Sequence, residues 1–552
     1  MTDLGESAAS RTLPGFSWHW LLVLFPLGVF LVSGWRGADF GSHWDQGHRV
    51  SDLASAFEEQ NLLPDEYNYP SMTFWLTALA ASPEAIERPG VETEVSKARF
   101  SRFLISKQLQ IRCRLLFLLI SSLAILWVFA ASLAWRNNAF EALFAACFVA
   151  GSFEVGYHSR WVAPDAILMQ FGALCLFACL CAVRKGGPSR WTSLALVAAG
   201  LAAGTKYTGG IFLLPALVAA WHSRPGLSSV ARGVLLFAVT FLITTPGLLF
   251  EPSKVLEDIA FEMEHYADGH LGYSVEPGWT HFIQNLRYLF LAGPSTCPWL
   301  SQFLSVLGLL GIMALWRESR MLALVLLLVP VLFVPYISSQ KVMFVRNLIP
   351  LMPVAALLSA RGLGFLWESV DAGWKRGVLA AGAAVAVFLN FGSTLDAGAS
   401  VRDSNPAWIA NELEEYLIEH PDQVIQLSPR ALAGLQAGGH EIPANARTSV
   451  ADDAQYLVLY RPELRVPGYW PSNNPGFASA ILGPLSANYD YYGTWWAEHL
   501  LVLEKDKAHA IAEALPLPDV GRFFPDLESP ERAKGASVQS PKENEGTLPK
   551  SD

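Results

Sequence analysis

Runs of leucine, alanine, valine and phenylalanine recur along the first 393 residues, at 17–34, 113–132, 139–154, 163–183, 191–204, 209–222, 233–250, 302–316, 321–337, 347–362 and 377–393. A helix needs roughly 17–25 apolar residues to cross a bilayer. The pattern therefore predicts about eleven membrane-spanning helices, with the segments around 191–222 short for the task. Basic residues between the runs are unequally shared. With the N-terminus (1–16) in the cytoplasm, one side receives Arg136, Arg184, Lys185, Arg190, Arg224, Arg232, Arg317, Arg320, Arg361, Lys375 and Arg376. The short turns on the other side receive only Arg160, Lys206, Lys341 and Arg346. Lysine and arginine concentrate on the cytoplasmic side, so this asymmetry orients the chain. After an odd number of spans, everything beyond residue 393 lies outside.

Two outer loops are long, 35–112 and 251–301, while every cytoplasmic loop is short. Long connections in a compact fold usually carry function, which places the chemistry on the outer face. In the first loop, Ser51 to Leu63 reads as a capped amphipathic helix lying along the interface. Met72 to Ala81 is apolar but too short to span. Beyond the last run, 394–524 reads as a small α/β domain, with a helix from Pro406 to His420 and strands at Val424 to Leu427 and Tyr456 to Tyr460. From 525 to 552 the chain is rich in Pro, Ser, Glu and Lys and is expected to be disordered. The fold class is mainly α, a polytopic helical membrane domain (17–393) with an outer α/β domain.

Composition agrees. The 552 residues are 52% hydrophobic and only 16% charged, and a net charge of -10 gives no electrostatic case for nucleic acid. Six cysteines offer no disulfide framework. Four of them, Cys147, Cys175, Cys179 and Cys181, lie inside apolar runs, and nothing in the sequence pairs Cys113 with Cys297. The first apolar run lacks a small-residue cleavage site and reads as a retained anchor.

Chemistry-bearing residues crowd the outer boundary. Asp45, about ten residues past the first run, is flanked by His43, Trp44 and His48; such a carboxylate reads either as a solvated charge or as a base acting at the bilayer surface. Tyr67-Asn68-Tyr69-Pro70 is a proline turn with aromatic anchors. In His158-Ser159-Arg160-Trp161-Val162-Ala163-Pro164-Asp165, Pro164 suits a first helical turn and Asp165 gains from the helix dipole there, or serves a site. Arg160, Lys206, Lys341 and Arg346 stand where the charge rule disfavours them, which a phosphate or ordinary head groups would explain. His43, Asp45 and His48 also offer donors to a metal, but three ligands within six positions are not a structural-zinc spacing, and metal ligation is left open. His265 and His270 either join a site or decorate a surface helix. The Tyr489–Trp496 cluster reads as an anchor or core.

HWDQGH, YNYPS, SRWVAPDAILMQF, GLAAGTKYTGG and VRNLIPLMPVAALLSARGL follow one another over residues 17–393 in an order that resembles the GT-C glycosyltransferases. The nearest group is the bacterial family 39 and dolichyl-phosphate-mannose–protein mannosyltransferase-like enzymes. Two positions depart: Gln46 follows Asp45 where many relatives carry a second acid, and Ser71 closes a turn that relatives write Tyr-Pro-Pro. The resemblance implies a donor sugar on a polyprenyl phosphate presented from the outer leaflet, an acceptor (lipid, glycan or protein) entering from outside, and inversion at the anomeric carbon. On this reading Asp45 is the general base and Asp165 orients a substrate or supports a cation. Lys206 and Arg346 hold the phosphate, with Arg160 as a further partner. His43, His48, Tyr69, Tyr207, His265, His270 and Lys341 complete the candidate substrate-binding set. No cofactor is required, although a divalent cation has room. Membrane lipids are the other partners, and a bacterial inner membrane is the expected location. A lipid-linked-sugar flippase or an inactive scaffold of the same fold are the rival readings; the absence of an internal repeat favours the enzyme.

Overall fold

The computed structural model describes most of residues 18–460, outside 40–43, 87–102, 186–189, 270–273, 428–430, 448–452 and isolated single or paired positions, together with 500–504. A 3-10 turn, Trp18–Val23, leads into α1 (Leu24–Arg36). The first long loop holds α2 (Trp44–Glu58) and α3 (Met72–Ile86), and α4 (Lys107–Arg136), α5 (Ala139–Gly151), α6 (Phe153–His158) and α7 (Pro164–Lys185) follow. Then come α8 (Arg190–Ala203), the 3-10 turn Tyr207–Phe212, α9 (Leu213–Ser223), α10 (Leu227–Thr244) and α11 (Gly247–Phe250). The second long loop contains α12 (Pro252–Asp268) and α13 (Trp279–Leu291). The bundle ends with α14 (Pro298–Glu318), α15 (Arg320–Ser338), the 3-10 turn Val345–Leu351, α16 (Met352–Glu368) and α17 (Gly373–Asp403).

Eight of these segments are long and apolar enough to cross a membrane: the one ending in α1, then α4, α7, α10, α14, α15, the one ending in α16, and α17. The chain is a multi-pass membrane protein. The expected spans at 139–154 and 191–204 form α5 and α8, of 13 and 14 residues, which at 1.5 Å per residue are shorter than the roughly 30 Å of a hydrocarbon core, while the one at 209–222 is the 3-10 turn Tyr207–Phe212 running straight into α9. Helix α7 is almost wholly enclosed by α4, α8 and α9, whereas α10 leaves Leu235, Val239 and Ile243 exposed. Helices α14 and α16 cross closely because Gly311 faces the Leu358 carbonyl and Gly362 the Leu307 carbonyl, with no room for a Cβ on either. Small residues permit this approach.

At one end of the bundle, Arg361 donates to Glu318 (2.6 Å) and Glu368 (2.8 Å), while Arg136 reaches Glu368, Glu318 and the buried Glu141. This network ties the ends of α4, α14 and α16 to the start of α5. The long loops lie at the other end.

Helix α2 starts at Trp44 rather than at Ser51, so Ser51 is an interior helical residue and Asp45 lies in a first helical turn rather than in a loop. The early start has a physical cause. Gln46 accepts from Nε of Arg114 on α4 (3.0 Å), Arg49 pairs with Asp52 at i,i+3 (2.8 Å), and Leu53 and Ala56 pack with Phe74 of α3 and Phe117 of α4. Tertiary partners thus extend the helix backwards past the residue that resembled a cap.

A second compact unit begins at Pro406. Helix α17 runs to Asp403, past the expected end at 393. The second unit has α18 (Pro406–Glu419), β1 (Ile425–Leu427), β2 (Ala446–Arg447), β3 (Tyr456–Tyr460) and β4 (Leu500–Glu504). The strand order is β2-β1-β3-β4; β1 is parallel to both neighbours, and β4 is antiparallel to β3 with Val458 opposite Val502. Leu413, Leu417, Ile425, Leu427 and Leu435 form its core. The Tyr489–Trp496 cluster and the tail after Phe524 lie outside the described residues.

Candidate active site at one end of the bundle

Pro164 opens α7, and its missing N–H costs nothing at that position. Asp165 follows in the first turn, buried, where the helix dipole favours a negative charge. Lys206 comes from the extended residue that follows the end of α8. The GTKYTGG turn is shaped by close approach: Gly204 faces the Thr244 side chain and Gly209 the Ala202 carbonyl, with no space for a Cβ. Lys206 is thereby aimed inward, and its Nζ donates to Oδ1 of Asp165 and to Oδ1 of Asn347, both at 2.8 Å. Arg346, beside Asn347 in the 3-10 turn before α16, places Nε 3.6 Å from Oδ2 of Asp165 and its guanidinium over the Phe344 ring. All three charged residues are at least 94% buried.

Two details mark this cluster as unfinished. Lys206 carries three ammonium protons and spends two, leaving the third without an acceptor among the described residues. Oδ2 of Asp165 accepts no hydrogen bond among the described residues. Burial disfavours the Lys206 charge, but the Asp165 carboxylate, aided by Tyr266, outweighs it and holds the amine above the ordinary lysine range. The group is therefore a cation, and a buried cation with a spare donor suits an anionic ligand.

Aromatic rings wall the cluster. The Tyr69 ring lies 5.6 Å from Nζ of Lys206 and 5.6 Å from the guanidinium carbon of Arg49 on α2. Arg49 and Asp52 are both buried, and burial lifts the Asp52 carboxyl to about 6 against the opposing pull of Arg49. Nδ2 of Asn347 points to the Tyr266 hydroxyl at 3.5 Å. The YNYP turn is wedged in place by Tyr67, which is fully buried. Its N–H donates to Asp258 (2.7 Å), its hydroxyl to Glu251 (3.0 Å), and its carbonyl accepts from the Tyr207 hydroxyl (2.8 Å). Burial and the bond to Glu251 both push the Tyr67 phenol up.

The structure thus brings Asp165, Lys206, Arg346 and Tyr69 together, with Tyr207 one hydrogen bond behind them. It does not bring in Arg160, whose Nε donates to the Gly156 carbonyl (3.1 Å) and which sits buried near Phe30 and Thr394. His48 is exposed and faces Glu66 at 3.5 Å, Lys341 is exposed, and His265 lies against the Tyr266 ring. His43, His270 and the Asp45 side chain lie outside the described residues. Among the described residues no group of three His, Cys, Asp or Glu side chains could hold a metal ion.

Sequence reasoning missed Asn347, Arg49, Asp52 and Tyr266. Asn347 adjoins the stray Arg346, and Arg49 with Asp52 forms an i,i+3 pair; both signals are present, but they gain meaning only once Tyr69 and Lys206 stand between the two elements.

The matched family model is described as dolichyl-phosphate-mannose-protein mannosyltransferase. Residues 100–250 carry that family's pattern. The stretch includes Asp165 and Lys206, so the mannosyltransferase-like GT-C resemblance of the motifs extends to two members of the cluster. No curated protein sequence matches the chain. Among solved structures, ArnT from Cupriavidus metallidurans bound to undecaprenyl phosphate is 15% identical, with a TM-score of 0.47 over 81% of this chain and 93% of that one. The apo oligosaccharyltransferase of Archaeoglobus fulgidus is 12% identical, with a TM-score of 0.46 over 88% and 73%. AglB from Archaeoglobus fulgidus, in complex with an inhibitory peptide and a dolichol-phosphate, is 11% identical, with a TM-score of 0.45 over 80% and 69%. Superpositions this loose carry no functional weight; the site and the family pattern do.

Proposed function

We propose that the chain is an integral-membrane glycosyltransferase that moves a sugar from a polyprenyl-phosphate donor to an acceptor at the outer face of a bacterial inner membrane. The observation that carries this reading is the Lys206 ammonium: buried, clamped by Asp165 and Asn347, with one proton unspent beside the Arg346 guanidinium. It stands at the end of a membrane bundle, where the phosphate of a lipid with its chains in the bilayer would sit. The acceptor hydroxyl attacks the anomeric carbon, the bond from that carbon to the phosphate oxygen breaks, and the lipid phosphate leaves with the electron pair. Lys206 and Arg346 stabilise that developing charge. Asp45, in the first turn of α2, takes the hydroxyl proton as general base. Displacement in one step inverts the anomeric centre.

Helix α2 is well held for such a task. Gln46, the neighbour of Asp45, is bonded to Arg114, and Arg49, one turn on, stacks on the ring that faces Lys206. Purified protein incubated with a labelled polyprenyl-phosphate sugar and membrane-derived acceptors is expected to release free polyprenyl phosphate and a glycosylated product. The Asp45→Asn variant should be slower by roughly 10²–10⁴. Parental rates in that variant would remove Asp45 from the mechanism, and no release with any lipid phosphate would remove the reaction itself.

A further inference from the structure

Lys206 is held by two acceptors of unlike charge. One is the Asp165 carboxylate and the other is the amide oxygen of the buried Asn347, each 2.8 Å from Nζ. An ammonium group has no lone pair with which to accept, so Lys206 dictates which end of the amide it meets. The other end, Nδ2, then points to the Tyr266 hydroxyl oxygen at 3.5 Å.

The backbone that carries the amide is itself tied. The Asn347 N–H donates to the Phe344 carbonyl (3.0 Å) in the first turn of the 3-10 segment before α16. The Tyr266 carbonyl accepts from the N–H groups of Lys341 (3.0 Å) and Val342 (3.3 Å), so the end of α12 is fastened to the segment leading to Asn347. The Tyr266 ring also meets the Phe344 ring edge-on, with centroids 6.3 Å apart.

An ammonium with one acceptor can turn about its Cε–Nζ bond. With two acceptors at fixed points, the direction of the third N–H is set. A carboxylate in place of the amide would grip Lys206 more strongly, because a hydrogen bond between two ionised groups is the stronger kind. It would also set a second negative charge where an anionic ligand must approach. The amide therefore gives up strength of attachment and keeps the ammonium charge available.

We infer that Asn347 is a positioning residue: it aims the spare Lys206 proton at an incoming phosphate and, being uncharged, leaves the ammonium charge for that phosphate. The identity of the ligand rests on the proposed function, whereas the part played by the amide holds for any anion received there.

The test compares Asn347→Asp with Asn347→Leu in the full chain. Aspartate keeps the size and the acceptor, and it can accept from the Tyr266 hydroxyl in turn; leucine keeps the size and removes both bonds. The melting temperature without ligand and the affinity for undecaprenyl phosphate in detergent are measured, with undecaprenol as the uncharged control. The two ranks are expected to be opposite. Asn347→Asp should melt above Asn347→Leu, yet bind undecaprenyl phosphate more weakly than Asn347→Leu and about tenfold or more below the wild type. A residue that merely braced the turn would give the same rank in both measurements, so Asn347→Asp binding more tightly than Asn347→Leu, or as tightly as the wild type, overturns the inference. Inorganic phosphate, set against chloride at equal ionic strength, separates this inference from the proposed function. If phosphate raises the melting temperature of the wild type and not of Asn347→Asp, while undecaprenyl phosphate binds the wild type no better than undecaprenol, Asn347 keeps its role and the lipid-phosphate donor falls. A wild type that responds to neither phosphate overturns both.

Discussion

Asp165 is the residue on which the buried cations depend. Its replacement by Asn leaves Lys206 and Arg346 facing each other without that carboxylate, and breaking such a buried pair costs roughly 3–5 kcal/mol. Thermal unfolding should show a large loss for Asp165→Asn and a smaller combined loss for Asp165→Asn with Lys206→Met than the two single changes sum to; strict additivity would mean that the two do not interact. Gln46→Ala would leave the Arg114 Nε donor buried and unmet, a penalty of about 1–3 kcal/mol. Gln46→Glu keeps an acceptor there, so unfolding of the pair should rank Glu above Ala. Asp52 introduces a pH dependence. Its carboxyl titrates at about 6 in the fold against an ordinary value of 3.8, so folding favours the protonated form. The associated stability is complete below about pH 4 and is lost as pH rises through about 6, a change of roughly 3 kcal/mol. The melting temperature of the wild type relative to Asp52→Asn should therefore fall between pH 4 and pH 7, and a flat difference would show that Asp52 does not titrate in this way.

Among the elements, the crossing of α14 and α16 bears directly on the site, because the turn that carries Arg346 and Asn347 runs straight into α16. Gly362→Val must push the helices apart, since its side chain would meet the Leu307 carbonyl, and overpacking of this kind costs about 1–3 kcal/mol or more. Gly308→Ala is the control, because its Cβ would sit 3.5 Å from Oγ of Ser359, an ordinary contact. A melting scan should separate the two variants, and tolerance of valine at 362 would mean that the crossing is looser than described. Helix α2 shows why element boundaries escape a one-dimensional reading. Ser51 looks like a cap, yet contacts with α4 and Tyr69 begin the helix seven residues earlier. The short α5, α8 and α9 were visible as apolar runs, but their lengths came only with the fold.

For the molecule as a whole, the proposed function requires the cluster's end of the bundle to face outside, as the charge asymmetry of the sequence leads one to expect. A reporter enzyme active only outside the cytoplasm, fused after Asp552, is expected to be active; activity only in the cytoplasmic form of the reporter would invert the topology. Polyprenyl phosphate should raise the melting temperature of the wild type, since a ligand at a hundred times its dissociation constant adds about 2.7 kcal/mol. Lys206→Met should lose most of that increase. An equal increase in both proteins would place the lipid phosphate elsewhere.

Apolar periodicity and the count of lysines and arginines were enough to determine a multi-pass helical bundle with long loops at one end, because a bilayer constrains length and charge so severely that a single chain records them. The stray cations and Asp165 were legible for the same reason, as charges standing where the membrane disfavours them. Tertiary structure decided the rest. That Arg346 faces the Asp165 carboxylate depends on how α7 packs against the turn before α16, and that Arg49 reaches Tyr69 depends on a loop folding back over the bundle. Such contacts join residues far apart in the chain, and no local pattern encodes them.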